Sequence, residues 1–290
     1  GLRVGRPAVT GDGEATPPRA WLLARGLAEN AAGNLTRSVR AVVRSPRAKP
    51  PPPATSAYAA IIFALIVIVV SMFLLDTAAS GWARHLPFWV TAAYDQVTDF
   101  GLSGWFLYPF GFVLLCLAAV NSPALSRPTQ AVLAMLAVRF GFLFLAIGVP
   151  GLFVAIVKRM IGRARPYHIG NYDDPFSYAP FIWRPEYSSM PSGHAATAAS
   201  AAIAIGAIWP EARGVLWFYA LVIMLSRVAV LAHHPSDVIA GALVGIVGAS
   251  LVRRWFAARG LLFSAADMRA YPWPSRKRFK AAARELIGET

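Results

Sequence analysis

Three short segments, Lys158 to Pro166, Pro191 to His194 and Ser226 to Asp237, hold most of the side chains in this sequence that could do phosphate chemistry. They read K-x6-R-P (Lys158, Arg165, Pro166), P-S-G-H (Pro191, Ser192, Gly193, His194) and S-R-x5-H-x3-D (Ser226, Arg227, His233, Asp237). A phosphoryl group in transfer carries its charge on equatorial oxygens, so fixed cations and N–H donors stabilise it. Arg165 and Arg227 offer bidentate forks and Lys158 a point charge. Ser192 and Gly193 open an apolar helical stretch, whose free N–H groups and dipole attract an anion. Gly193 admits oxygens close to the backbone, while Ser192 can cap the helix or donate its hydroxyl.

Charge clamping does not complete the reaction, because phosphate esters are among the slowest bonds to hydrolyse and need a nucleophile and an acid as well. His233 has Asp237 four residues on, the pattern of a ring held by a carboxylate so that its other nitrogen is free to attack phosphorus. His194, beside the cradle, is placed to protonate the leaving oxygen. Such an acid and nucleophile need opposite protonation states. His234, His85 and His168 have no motif role and read as structural, and Arg159 and Arg163 read as facing lipid headgroups. Metal ligation is not expected: the adjacent acids Asp173 and Asp174 lack companions, and no H-E-x-x-H spacing occurs. Walker-type glycine loops are absent too, so the expected chemistry uses no metal and no cofactor.

The elements that must position these groups are membrane helices. With 57% hydrophobic and 14% charged residues and a mean hydropathy of +0.51, the chain is too apolar for an ordinary soluble domain of this length. Six apolar runs approach the roughly 20 residues that cross a bilayer: Ala57 to Leu75, Phe100 to Val120, Ala131 to Val157, His194 to Ile208, Val215 to Ala232 and Val238 to Val252. The fourth and sixth are short and need support from neighbours. Arg139 would cost about 2.5 to 3.5 kcal/mol at a helix centre, so it is expected to mark the inner boundary of the third run. Gly148, Pro150 and Gly151 predict a kink. Cys116 lies in an apolar run and reads as a small buried hydrophobe.

Flanking this core (57–252) are a basic, Pro-rich tail (1–56), expected to be disordered in part, and a basic tail at 253–290. Arg19 to Leu27 fits either a short interfacial helix or a stretch of solvated tail. Each tail carries nine Lys/Arg against three acids, which by the positive-inside rule places both in the cytoplasm. The cationic loop between the third and fourth runs then falls outside, where it keeps its charge to bind an anion. A formal charge of +14 is compatible with nucleic acid, but the basic residues show no aromatic-interleaved patch or helix-turn-helix pattern. Nucleic-acid binding is not expected.

On its three motifs, present in order, the chain resembles the type 2 phosphatidic acid phosphatase and vanadium-dependent haloperoxidase superfamily. That resemblance implies a helical bundle with six transmembrane helices and its phosphate site at the outer membrane face. It implies Lys158, Arg165, Ser192, Gly193 and Arg227 as phosphate ligands, His194 as general acid, His233 as the nucleophile that forms a phosphohistidine, and Asp237 as its partner. The expected activity is hydrolysis of a lipid phosphate or diphosphate at the periplasmic face of a bacterial inner membrane. Polyprenyl diphosphate, lipid A phosphate and glycerolipid phosphates all fit. A phosphotransferase passing the group to a second lipid uses the same motifs. A haloperoxidase is disfavoured by the six spans, and a non-catalytic lipid-binding scaffold by the retention of His233 and Arg227.

Overall fold

The structure is a computed structural model that describes residues 19–168 and 174–288. Among them extended structure is limited to two isolated bridges, Arg163 with Tyr178 and Phe263 with Ala270. The helices are α1 (Arg19–Val43), α2 (Thr55–Leu74), α3 (Asp76–Arg84), α4 (Phe88–Thr98), α5 (Gly104–Val120), α6 (Arg127–Ile161), α7 (Gly193–Ile208), α8 (Arg213–Ala229), α9 (Pro235–Ala258) and α10 (Arg276–Ile287). The protein is all-α and an integral membrane protein. Five helical segments are long and apolar enough to cross a bilayer: Thr55–Leu74, Phe88–Val120, Arg127–Ile161, Pro210–Ala229 and Pro235–Ala258. In α2 the apolar surface runs all round, with Ile62, Phe63, Ile66, Val70, Phe73 and Leu74 exposed. A helix satisfies all its backbone groups internally, so this sequence is suited to lipid.

α7, the shortest of the expected spans, has 16 residues, of which 12 are buried. At 1.5 Å per residue it extends about 24 Å, less than a hydrocarbon core of about 30 Å. Protein surrounds it instead, since α6, α8 and α9 all pack against it. Its alanines allow that approach. On α9, a Cβ at Gly241 would stand 2.2 Å from the Ser192 carbonyl oxygen, and one at Gly245 would stand 2.4 Å from that of Ala196. Small residues on both helices thus let the backbones meet, as is usual between membrane helices.

The far end of the bundle is tied by both tails. Backbone N–H groups of Arg47 and Ala48 donate to Ala258 at the end of α9 (2.7 and 3.1 Å), and Trp255 Nε1 donates to Val42. α1 covers 25 residues, far beyond the short interfacial segment that its apolar residues suggest; Asn34 within it donates to the carbonyls of Ala118 on α5 and of Asn121 just after it. α10 is held to the start of α6, where Ser126 Oγ and Thr129 Oγ1 donate to Glu285. Arg139 is buried by protein from the C-terminal segment: it donates to the Tyr271 and Pro272 carbonyls and stacks on Trp273 at 4.2 Å. Cys116, expected to be buried, is exposed on α5. α6 continues through Pro150, which is inside the helix. Phe142, Phe256 and Phe263 pack edge to face at 5.4 and 4.8 Å in a core cluster that joins α6, α9 and the C-terminal segment.

Candidate active site

Local chain geometry brings the three motifs to one end of the bundle, opposite the tails. α6 stops at Gly162, whose φ of +64° is left-handed; its N–H closes on the Lys158 carbonyl at 3.0 Å. A Cβ there would lie 2.0 Å from the Ala179 oxygen, so this turn requires glycine. Lys158 occupies the last turn and Arg165 follows the turn, its N–H donating to Glu186. The loop then meets the third motif, where Tyr167 N–H donates to the Leu231 carbonyl. Leu231 itself has φ of +56°, a costly conformation for a branched residue, and it reverses the chain so that the N–H groups of Ala232 and His233 both donate to the Arg227 carbonyl at 3.1 Å.

Ser192 is the N-cap of α7, and its N–H donates to the Asp237 carbonyl at 2.9 Å. The second and third motifs are thereby joined through α7 and α9. Charges on Arg165, Arg227 and His194 all act on His233, and those of Lys158, Arg165 and Arg227 act on His194, so the five groups form one electrostatic cluster. Within it Arg165 Nε, Ser192 Oγ and Arg227 Nε are buried without a hydrogen-bond partner among the described residues. Buried donors normally find partners, and these three suit an anion. Gly193 agrees with that arrangement: a Cβ on it would meet protein only at Val154 Cγ1, 3.9 Å away, so packing does not demand glycine.

His233 is 4% exposed. Burial, then the cations Arg165 and Arg227, then His194 push its pKa well below the ordinary histidine value, against a backbone hydrogen bond with Ser189 that favours the charged form. The ring is therefore neutral. Asp237 does not touch it directly, since Nδ1 to Oδ2 is 3.9 Å, beyond hydrogen-bond reach. Its carboxylate is engaged elsewhere: Oδ2 accepts from the His234 N–H at 2.9 Å, capping α9, and from Ser189 Oγ at 2.5 Å. Ser189 Oγ is in turn 3.5 Å from His233 Nδ1. Ser189 precedes the second motif and has no spacing that would single it out.

Two further residues join from outside the motifs. Thr98 Oγ1, at the end of α4, accepts from Arg227 Nη1 at 2.6 Å, and Gly101 is close enough to His194 that a Cβ on it would lie 2.8 Å from the ring. Arg163 is the clearest departure from the sequence reading. Rather than facing headgroups it is fully buried, donating to Asp237 Oδ1 at 2.6 Å and to Asp76 Oδ2 at 2.8 Å. Those carboxylates outweigh the opposing effect of burial and raise its pKa further. Arg159 stacks on Trp183 at 4.7 Å. His234 is buried with Nδ1 3.3 Å from Ser80 Oγ, in keeping with a structural role, and His168 packs edge to face on Tyr187. Asp173 lies outside the described residues; Asp174 accepts from the Phe176 N–H.

The sequence model of the PAP2 superfamily matches residues 139–261, which include every motif residue. The chain is 34% identical over 211 residues to a lipid A 1-phosphatase of Rhizobium johnstonii, covering 72% of this chain and 83% of that protein. It belongs to the PAP2 superfamily. A lipid A 1-phosphatase of Rhizobium etli is similar to it at 33% identity, over 72% of this chain and 88% of that one. Among solved structures, a transmembrane PAP2-type phosphatidylglycerolphosphate phosphatase from Bacillus subtilis matches with a TM-score of 0.43 and 20% identity, over 67% of this chain and 94% of that chain. As a PAP2 protein with spans apolar enough to cross a bilayer and two lipid A 1-phosphatases among its relatives, the chain is a membrane phosphatase.

Proposed function

We propose that the protein hydrolyses a lipid phosphate through a phosphohistidine, with lipid A 1-phosphate as the first substrate to test. The observation that carries this reading is the set of buried, unpartnered donors, Arg165 Nε, Ser192 Oγ and Arg227 Nε, within electrostatic range of a buried neutral histidine. Lys158, Arg165, Arg227, Ser192 Oγ and the N–H groups at Gly193 hold the phosphate. His233, with Nδ1 turned to Ser189, presents Nε2 to phosphorus. As the N–P bond forms, the P–O bond to the lipid breaks and His194 gives its proton to the leaving oxygen. The substrate's negative charge offsets the three cations and so favours protonated His194. Water then attacks the phosphohistidine, with His194 taking its proton, and inorganic phosphate leaves. Asp237 acts on His233 at one remove, through Ser189. The two relatives named as lipid A 1-phosphatases motivate the choice of substrate.

The reading includes six spans, the five long helical segments together with α7 as the fourth in chain order, and a site on the periplasmic face of a bacterial inner membrane. Both tails pack at the end of the bundle away from the motifs, which accords with cytoplasmic termini and an outward site. Purified protein in detergent, assayed for phosphate release, should act on lipid A 1-phosphate in preference to phosphatidylglycerol phosphate, phosphatidic acid or undecaprenyl diphosphate. His233→Ala should be inactive and should form no acid-labile phosphoenzyme with labelled substrate. Wild-type turnover by that variant would remove the covalent mechanism, and preference for another lipid on the panel would remove the substrate assignment.

A further inference from the structure

We propose that Arg163, held by Asp76, is a positioning residue for the nucleophile, setting Ser189 and Asp237 so that the His233 ring is fixed for attack. The proposal rests on His233 being the nucleophile. Arg163 reaches both Ser189, which meets the ring, and Asp237 behind it. Its carbonyl accepts from the Ser189 N–H at 3.0 Å, and its Nη1 donates to Asp237 Oδ1 at 2.6 Å. Ser189 Oγ then donates to Asp237 Oδ2 at 2.5 Å and lies 3.5 Å from His233 Nδ1. A shift of the Arg163 backbone or guanidinium is therefore transmitted to the nucleophile through one serine.

Asp76 fixes that guanidinium from the other side. Its Oδ2 accepts from Arg163 Nη2 at 2.8 Å and from Ser236 Oγ at 2.5 Å, and its Oδ1 accepts from the Ser236 N–H at 3.0 Å. Arg163 Nη1 also donates to Ser236 Oγ and Nε to the Pro175 carbonyl, at 2.7 and 2.9 Å. Both ion pairs have side chains with no solvent exposure. A buried ion cluster contributes little net stability, because desolvating its charges costs about what their attraction returns. What it fixes is geometry, since every donor and acceptor has one arrangement that satisfies it. Asp76 begins α3, outside the stretch matched by the family sequence model, and is 87 residues from Arg163.

The test compares Asp76→Asn and Ser189→Ala with wild type in kcat, KM, inhibition by inorganic phosphate and thermal unfolding. Neither substitution touches a phosphate ligand. Each should lower kcat roughly ten- to hundredfold, as expected when a reacting group is displaced by a fraction of an ångström to 1 Å. KM and the inhibition constant of phosphate should stay within about threefold, by the rule that loss of a purely transition-state interaction leaves ground-state binding intact. Ser189→Ala carries the test if Asp76→Asn folds poorly, because it removes one hydroxyl and no charge. Wild-type kcat in Ser189→Ala, or a loss of phosphate inhibition equal to the loss of kcat in both variants, overturns the proposal. Turnover surviving in His233→Ala would instead remove the parent reading, so the two failures are distinguishable.

Discussion

Gly193, in the proposed phosphate cradle, and Gly241, packed against Ser192 from α9, should fail in different ways when given a methyl group. At Gly241 the new Cβ would lie 2.2 Å from the Ser192 carbonyl oxygen, whereas real Cβ contacts do not fall below 3.0 Å. α7 and α9 must then part by roughly 1 Å, a displacement that can cost about 10²-fold in rate when it reaches the reacting groups. Stability should change less: alanine is favoured over glycine in a helix by about 1 kcal/mol, which offsets part of an overpacking cost of about 1 to 3 kcal/mol. Gly193→Ala meets only Val154 at 3.9 Å and should leave thermal unfolding unchanged. Its methyl group would face the phosphate, so KM and the inhibition constant of inorganic phosphate should rise about tenfold, equivalent to about 1.4 kcal/mol. Phosphate release and thermal unfolding of both variants in detergent read the two effects. Wild-type turnover in Gly241→Ala, or unaltered phosphate inhibition in Gly193→Ala, would refute the link between helix packing and the cradle.

Thr98→Val removes the acceptor that orients Arg227; hydrogen bonds to charged groups contribute about 1.5 to 3 kcal/mol, so KM should rise at least tenfold, and an unchanged KM would show that Arg227 is oriented without it. His233 and His234 both have pKa values depressed first by burial, so the unfolded chain binds more protons below its ordinary histidine value of about 6.5. Stability should therefore fall as pH drops through about 6.5, by at most about 2.7 kcal/mol per pH unit for the two groups, and His233→Ala should flatten the decline; an unfolding temperature unchanged between pH 7.5 and 5.5 speaks against neutral burial. Finally, in a background lacking Cys116, a cysteine at Ser177 should react with a membrane-impermeant thiol reagent in intact spheroplasts and one at Ser275 only after lysis. The reverse pattern would put the site on the cytoplasmic face.

Residues spaced along one motif were readable in the sequence because their geometry is local. Lys158 and Arg165 flank one helix end, Ser192 to His194 open one helix, and Arg227 to Asp237 span one turn between α8 and α9. Arg163 was misread for the converse reason: its partner Asp76 is 87 residues away, and no spacing rule connects a cation to an acid on another helix. Thr98 and Arg227, 129 residues apart, escaped in the same way. For Arg139, insertion energies suggest a boundary position, but its cover of carbonyls and an indole comes from a segment 132 residues on, which no local spacing announces.

Asp237 shows how a spacing can bring two residues into one neighbourhood without putting them in contact. Its spacing of four from His233 suggests direct contact, yet Asp237 is the third residue of α9 and its Oδ2 accepts the N–H of His234, the N-cap of that helix. A carboxylate that caps a helix cannot also turn fully toward a ring in the preceding turn, and the gap of 3.9 Å is the result. Ser189 fills it because the second motif is anchored to the third by the Ser192 N–H on the Asp237 carbonyl. On the proposed mechanism the helix cap, the phosphate cradle and the nucleophile thus share one residue. Displacing α7 from α9 should for that reason disturb phosphate binding and ring orientation together, whereas loss of Ser189 alone should disturb only the ring.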